Sequence, residues 1–409
     1  MKNKIYLITL SPATHRTSEE NLGILYLKSS LVKSDFEVEI IDGWLNEYDI
    51  ETVFNKIKYD DDLLFVGISS YMSNTLPSIN LIKMLKEHYP DIKIVCGGFG
   101  PTFYPEEHLR SGADFVSRGE GEISLVKLAC SLRDNTNYKN IKGISYLEDN
   151  KLVNNECQDL VEDLDSLPFP SRDTIDVVLK NKSTVNMLTS RGCSGNCEFC
   201  SVISFFRLSN GKIWRTRSIK NIVDEIEILS NRGVELIKMV DDSFVDGIRD
   251  SNWCYEFANE INKRNIKVKL RGQIRADKVT DEILLYLKNA GFYSFACGIE
   301  NEKAFCIEGN DNAKYTDNVN ILNGIFNNCS ETSTDQGDNG FFCMSNSRFG
   351  PSAFVSSNGS VTVFSEYDSG IVDNSWHNSY CGVATDNSFG CEYIEHQCIG
   401  HDIDGTPCP

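Results

Sequence analysis

Three cysteines, Cys193, Cys197 and Cys200, fall on one short stretch, TSRGCSGNCEFCS, directly after an apolar β-like run from Val185 to Thr189. Thiols this close along a chain can share one metal centre only if the backbone between them loops back. The stretch is therefore expected as a loop at the carboxyl end of a strand, the end where (β/α) folds place their chemistry. Iron–sulfur clusters of the four-iron type are normally held by four Cys, so three leave one iron open to another molecule. A structural zinc loop is the competing reading, but zinc usually takes a fourth ligand and CxxC pairs.

The spacing CxxxCxxC, with the aromatic Phe199 between the second and third cysteines, resembles the signature of the radical S-adenosylmethionine (SAM) enzymes. The resemblance implies that Cys193, Cys197 and Cys200 ligate a [4Fe-4S] cluster whose open iron chelates SAM. An electron from the cluster then breaks the sulfonium bond and yields a 5′-deoxyadenosyl radical. An electron donor such as flavodoxin or ferredoxin is implied as a partner.

At 409 residues the chain exceeds one typical core, and two or three domains are the prior. The net charge of −19 and the lack of a long Lys/Arg run argue against a nucleic-acid surface. The run Ile5 to Leu10 is short for a secretory leader, and no apolar run approaches the ~18 residues of a membrane span. A cytoplasmic protein acting on a small molecule or peptide is the expectation. Fifteen cysteines in such a chain point to metal chemistry.

From residue 1 to about 130, β-rich runs (Ile5 to Leu10, Glu37 to Ile41, Leu63 to Ser69, Ile92 to Cys96, Asp114 to Val116) alternate with amphipathic segments. That alternation predicts a doubly wound, Rossmann-like parallel sheet, with ligands bound beyond the carboxyl ends of its strands. Two loops at those ends, around Ser69-Ser70 and Gly97-Gly98, would let a bulky ligand lie against bare backbone. Together with Gly119-Glu120-Gly121-Glu122, the segment resembles the cobalamin-binding domain that precedes the barrel in one branch of the radical SAM enzymes. Cobalamin is implied as a cofactor, with Ser69, Ser70, Gly97, Gly98 and Glu120 as contacts. The DxHxxG motif of some B12 proteins is absent, and His15 stands without the Asp and Gly that would aim it at cobalt. A flavodoxin-like domain that binds nothing is the alternative.

Residues 138 to 178 are expected as a connector: a hairpin around Glu148-Asp149-Asn150, then a strap through Pro168 and Pro170. Beyond the cysteines, a helix is predicted from Ile219 to about Asn231, with Ser218 as N-cap and Gly233 as stop. A buried strand from Val234 to Val240 follows, ending in Asp241-Asp242. Arg215 and Arg217 are expected to be solvated. Further strands, at Lys267 to Arg271 and Tyr293 to Ile299, frame helices from Trp253 to Arg264 and from Thr280 to Asn289. Four units of a (β/α)6 barrel are thus legible. The resemblance implies Phe199, Asp241, Asp242, Arg271 and Glu300 around SAM.

The division expected is 1–135 cobalamin-binding-like, 136–180 strap, 181–301 partial radical SAM barrel and 302–409 a divergent acidic tail. The tail holds 3 Lys+Arg against 15 Asp+Glu and lacks the alternation that would complete the barrel. A helix is predicted over Val319 to Phe326 and a hairpin around Asn358-Gly359. Cys329, Cys343, Cys381, Cys391, Cys398 and Cys408 match no tight metal spacing.

The function expected from the resemblance is cobalamin-dependent methyl transfer to an unactivated carbon. The alternatives are radical SAM rearrangement, cyclisation or oxidation without methyl transfer, and a non-catalytic Fe–S or corrinoid-binding protein.

Overall fold

Strand β1, Lys4–Thr9, has five of its six residues buried, the mark of a strand covered on both faces. Its side chains divide by the two-residue period of a strand: Ile5 and Leu7 enter one core cluster, Tyr6 and Ile8 the other. The computed structural model describes residues 2–12, 20–181, 183–197 and 200–297, with short backbone strands between 319 and 399. It divides into two compact units, Met1–Lys269 and Leu270–Pro409.

In the first unit, helix α1 (Leu22–Val32) leads to β2 (Glu37–Asp42), helix α2 (Ile50–Lys56) to β3 (Leu63–Ser69), and helix α3 (Thr75–His88) to β4 (Ile94–Gly97). Two short helices, α4 (Phe99–Phe103) and α5 (Pro105–Arg110), precede β5 (Phe115–Ser117) and helix α6 (Gly121–Arg133). The five strands are parallel in the order β2-β1-β3-β4-β5. Leu22 and Leu25 of α1 and Leu125 and Leu128 of α6 pack on one face. Val53 of α2 and Leu81, Ile82 and Leu85 of α3 pack on the other. The doubly wound expectation holds.

The segment expected as a connector does more than connect. Strands β6 (Ile144–Glu148) and β7 (Lys151–Asn154) form the predicted hairpin, and β6 pairs antiparallel with β5, so the sheet has seven strands. The strap then drives Arg172 into the interior. Its guanidinium reaches Glu20 at 3.2 Å, Glu225 at 2.7 Å and the Asn186 carbonyl at 2.9 Å. A buried Arg needs such partners.

After helix α7 (Ile175–Lys180) comes β8 (Val185–Met187) and then β9 (Ser190–Arg191), which leads into the cysteine loop. Helix α8 (Ser201–Phe206) follows Cys200, and β10 (Arg215–Thr216) closes back on β9 antiparallel. Helix α9 (Ile219–Asn231) carries the predicted cap, the Ser218 side chain accepting from the Asn221 N–H, and Gly233 sits at φ +84° beyond its end. Strand β11 (Leu236–Met239) pairs parallel with β8, and helix α10 (Ser251–Lys263) packs beside α9.

Across the boundary to the second unit runs β12 (Lys269–Gln273), followed by helix α11 (Asp281–Asn289) and β13 (Phe292–Cys297). Within that unit β12 and β13 pair in parallel, and β13 pairs in parallel with Val319–Ile321. The helix expected over Val319 to Phe326 is corrected: Val319–Ile321 and Gly324–Phe326 are both extended. The sequence there carries Asn323-Gly324, a pair whose chemistry favours a turn over a continuing helix. The expected hairpin is present as Ser352–Val355 paired with Val361–Phe364. Among the described residues no helix is long and apolar enough to cross a membrane.

Candidate functional site

The carboxyl ends of β3, β4 and β5 open into a cavity of about 540 Å³, with Glu20 to Ile24 ahead of and in α1 on one side and the start of α6 on another. In the order β2-β1-β3 the chain reverses direction of progress beside β1, the place where doubly wound sheets leave a crevice. Six glycines contribute to the walls: Gly23, Gly67, Gly97, Gly98, Gly119 and Gly121. Such walls expose backbone to whatever fills the space.

Gly98 shows why one of them must be glycine. Its φ is +96°, and a Cβ there would stand 2.6 Å from the Ser70 carbonyl oxygen. The two loops are stitched together at this point, Ser70 N–H donating to the Gly97 carbonyl at 2.8 Å and Gly100 N–H to the Ser70 carbonyl at 3.1 Å. Ser70 itself is fully buried and its hydroxyl donates to Asn74, whose amide donates to the Leu10 carbonyl. Ser69, Gly97 and Gly98 line the cavity, whereas Ser70 braces the loop behind it.

An aromatic row runs along one wall. Trp44 meets Tyr71 edge-on at 5.9 Å, Tyr71 stacks with Phe99 at 6.1 Å, and Phe99 stacks with Phe205 at 4.4 Å. Phe205 and Phe206 belong to α8, directly after the cysteine loop, so that loop and the cavity share a wall. Composition alone does not place these rings together, because they come from four separate elements.

Asp42 braces the base of that row. At the end of β2 its carboxylate accepts from Asn21 N–H at 3.2 Å and Leu45 N–H at 3.0 Å, tying α1 to the loop that carries Trp44. Burial pushes its pKa up to about 6 against these bonds, with Glu20 adding to the rise. A carboxyl whose folded pKa lies above its unfolded value of ~3.9 stabilises fully below that value and loses its contribution as pH rises through about 6. Thermal unfolding across pH 4 to 7.5 should therefore show the wild type losing stability relative to Asp42→Asn, by on the order of 3 kcal/mol in total. Parallel curves for the two proteins would contradict this.

The cysteine loop is fastened by carboxylates from the segment after β11. Asp242 accepts from Gly192 N–H at 2.9 Å and lines the cavity. Burial pushes its pKa up to about 6, partly offset by that bond and by Arg191 and Arg215. Asp246 accepts from both the N–H (2.8 Å) and the hydroxyl of Ser194. Gly192, at φ +80°, passes so near the Ile213 carbonyl that a Cβ would lie 2.1 Å from it. Cys193 and Cys200 are half-buried and Cys197 is exposed, with Cys200 N–H donating to the Cys197 carbonyl at 3.1 Å.

Three thiols on one exposed-to-half-buried loop suit an iron–sulfur cluster by donor chemistry. Among the described residues, however, no three His, Cys, Asp or Glu side chains stand close enough to share a metal. A four-iron cluster does not need that convergence, because each thiolate binds a separate iron. Phe199 and Glu300 lie outside the described residues, as do His15 and the tail cysteines other than Cys398, which stands on the backbone strand Gln397–Ile399. Arg271 sits half-buried on β12, in the second unit, in register with Ser294.

Asp241 is committed elsewhere. Its oxygens take Thr189 N–H at 2.6 Å, the hydroxyls of Thr189 and Ser190, and Arg249 at 3.1 Å. Sequence reasoning misses Asp246 and Arg249, although both stand in the same acidic loop, Asp241 to Asp250. Arg215 and Arg217 are corrected too: they are buried, Arg215 against Glu120 at 2.9 Å and Arg217 against Glu225 at 2.5 Å. Their partners come from other elements, which no local pattern reveals.

The B12 binding domain family matches residues 13–129. An uncharacterised methyltransferase of Pyrococcus horikoshii is 29% identical over 299 residues, 71% of this chain and 63% of that protein. The anaerobic magnesium-protoporphyrin IX monomethyl ester cyclase of Synechocystis is 28% identical over 290 residues, 68% of this chain and 56% of that protein. The chain thus spans less than two thirds of either relative. Among solved structures, the radical SAM methyltransferase TsrM of Kitasatospora setae, with cobalamin and a [4Fe-4S] cluster bound, superposes with a TM-score of 0.60 at 17% identity, covering 74% of this chain and 60% of that one. Residues 13–129 thus match the B12 binding domain family, and the fold of the chain is similar to that of a solved radical SAM methyltransferase.

Proposed function

We propose that the chain is a cobalamin-dependent radical SAM enzyme that transfers a methyl group to an unactivated carbon of a small molecule. One observation carries the reading. The glycine-walled cavity and the cysteine loop are not separate features, since Arg191 and Asp242 line the first and hold the start of the second. Cobalamin would lie in the cavity against Gly67, Ser69, Gly97, Gly98, Gly119 and Gly121, with no histidine among the described lining residues to reach cobalt. Cys193, Cys197 and Cys200 would hold the cluster.

When bound, the cluster supplies the electron that cleaves SAM and the corrinoid supplies the methyl group; such cofactors do the hard chemistry. The chain's own residues bind, orient and exclude water. The aromatic row from Trp44 to Phe205 presents an apolar wall where water would otherwise compete. Asp242 and Asp246 fix the loop that carries the thiols. The reductant would be an electron carrier such as flavodoxin or ferredoxin.

The likeness to a cyclase supports a second reading, radical chemistry without methyl transfer. Corrinoid content of the wild type separates the two, and Gly98→Ala tests where the corrinoid binds. The added Cβ forces Ser70 aside and strains the backbone, at a cost of about 1–3 kcal/mol, so corrinoid retained through anaerobic gel filtration should fall at least ~10-fold while iron content holds. Full retention in the variant would remove Gly98 from the site. A wild type that retains iron but no corrinoid would put the second reading ahead.

A further inference from the structure

The element Gly119-Glu120-Gly121-Glu122 has two faces. Its residues line the cavity, yet both carboxylates are bonded to arginines that belong to the cysteine loop. That loop has a neck: β9 and β10 pair antiparallel for only two residues each, and everything from Gly192 to Trp214, including the three cysteines, lies beyond it. In this ladder Arg191 stands directly opposite Arg215. Like charges in that position repel, and here both are buried.

Glu120 resolves the conflict. Its Oε1 accepts from Arg191 at 3.0 Å and from Arg215 at 2.9 Å, and its Oε2 accepts from Arg215 at 2.9 Å and from Val161 N–H at 2.8 Å. Glu122 takes the second arm of Arg191 at 2.5 Å. Arg215 reaches no other carboxylate among the described residues, and its Nε and Nη2 find no acceptor there. Glu120 is thus the carboxylate that compensates its buried charge, beside the Val161 carbonyl at 2.9 Å and the Phe206 ring at 5.2 Å, in a setting where an uncompensated charge is strongly unfavourable.

We propose that Glu120 and Glu122 are positioning residues of the cysteine loop, holding its neck shut and tying its place to the cavity wall. Glu120 lines the cavity as well, so this role, which acts through Arg191 and Arg215, stands beside the expected one as a cofactor contact. The coupling half of this proposal rests on cobalamin occupying the cavity. The neck-closing half does not.

The test uses the full-length chain as wild type, Glu120→Gln, Glu120→Asp and Glu122→Gln, with amide hydrogen exchange read over 190–191 and 215–216. In cofactor-free protein, Glu120→Gln should speed exchange in the neck at least ~10-fold while α1 and α3 keep wild-type protection. Glu120→Asp should recover part of it, and Glu122→Gln, which leaves the bridge between the arginines, should show a smaller effect. Adding hydroxocobalamin should slow neck exchange in the wild type but not in Glu120→Gln, and after anaerobic reconstitution the variant's reduced-cluster electron paramagnetic resonance should broaden. Neck exchange in Glu120→Gln equal to wild type overturns the proposal. If that variant unfolds as a whole, Glu122→Gln decides by the same criterion. A wild type that binds no hydroxocobalamin fails the cofactor reading instead, and the cofactor-free comparison still decides the neck.

Discussion

Replacing Cys193, Cys197 and Cys200 together with Ala is expected to take the protein from about four iron atoms per chain to background after anaerobic reconstitution. The visible charge-transfer absorbance and all reductive cleavage of SAM should go with it. The expectation follows from the loop itself. The three thiols are half-buried or exposed, stand on one loop after β9, and are free of disulfides. The fastening by Asp242 and Asp246 acts on Gly192 and Ser194, the two neighbours of Cys193. The cost of the substitutions to the fold should be small, since none of the three side chains is in the buried core. Iron that persists in the triple variant would transfer the assignment to the tail cysteines.

The second large effect concerns stability. Arg249 is fully buried, and its guanidinium donates to Asp241 at 3.1 Å, to the carbonyls of Phe244 and Thr189 at 2.8 Å each, and to the Thr216 hydroxyl at 2.7 Å. The Trp253 and Phe244 rings lie 4.5 and 4.9 Å from it. One side chain thus joins the strand end before the cysteine loop, the strand after it and the acidic loop beyond β11. Arg249→Met should destabilise by about 3–5 kcal/mol, because it leaves the Asp241 carboxylate buried without its cation. Denaturant unfolding measures this. Removing both charges in Arg249→Met, Asp241→Leu should recover part of the loss, as coupled partners do. A single variant within ~1 kcal/mol of wild type would show that the network carries little.

Much of the first sheet is legible because parallel strands buried on both faces read as apolar runs. Leu63–Ser69 agrees with its sequence run to the residue, and β1, β2, β4 and β5 agree to within two at either end. Ser218 and Gly233 mark α9 by cap chemistry that acts over three or four residues. What local pattern does not reveal is long-range pairing. The hairpin of β6 and β7 is visible in sequence, but not its addition to the edge of the sheet at β5. Arg215 and Arg217 read as solvated because a charged side chain is usually exposed; their burial depends on Glu120 and Glu225, some 95 and 8 residues away in sequence. Asp241 and Asp242, adjacent in sequence, divide between the core and the cavity wall, a difference of strand-end geometry rather than of residue type.

Whether one chain carries both groups decides the proposed function. Protein purified without oxygen and supplied with iron, sulfide and hydroxocobalamin should, after desalting, contain about four iron, four sulfide and one corrinoid per chain, measured on the same sample. Iron and sulfide without corrinoid would leave the cluster assignment standing and remove cobalamin from the proposed function. Zinc in place of iron, or no metal at all, would contradict the assignment of Cys193, Cys197 and Cys200 and the function built on them.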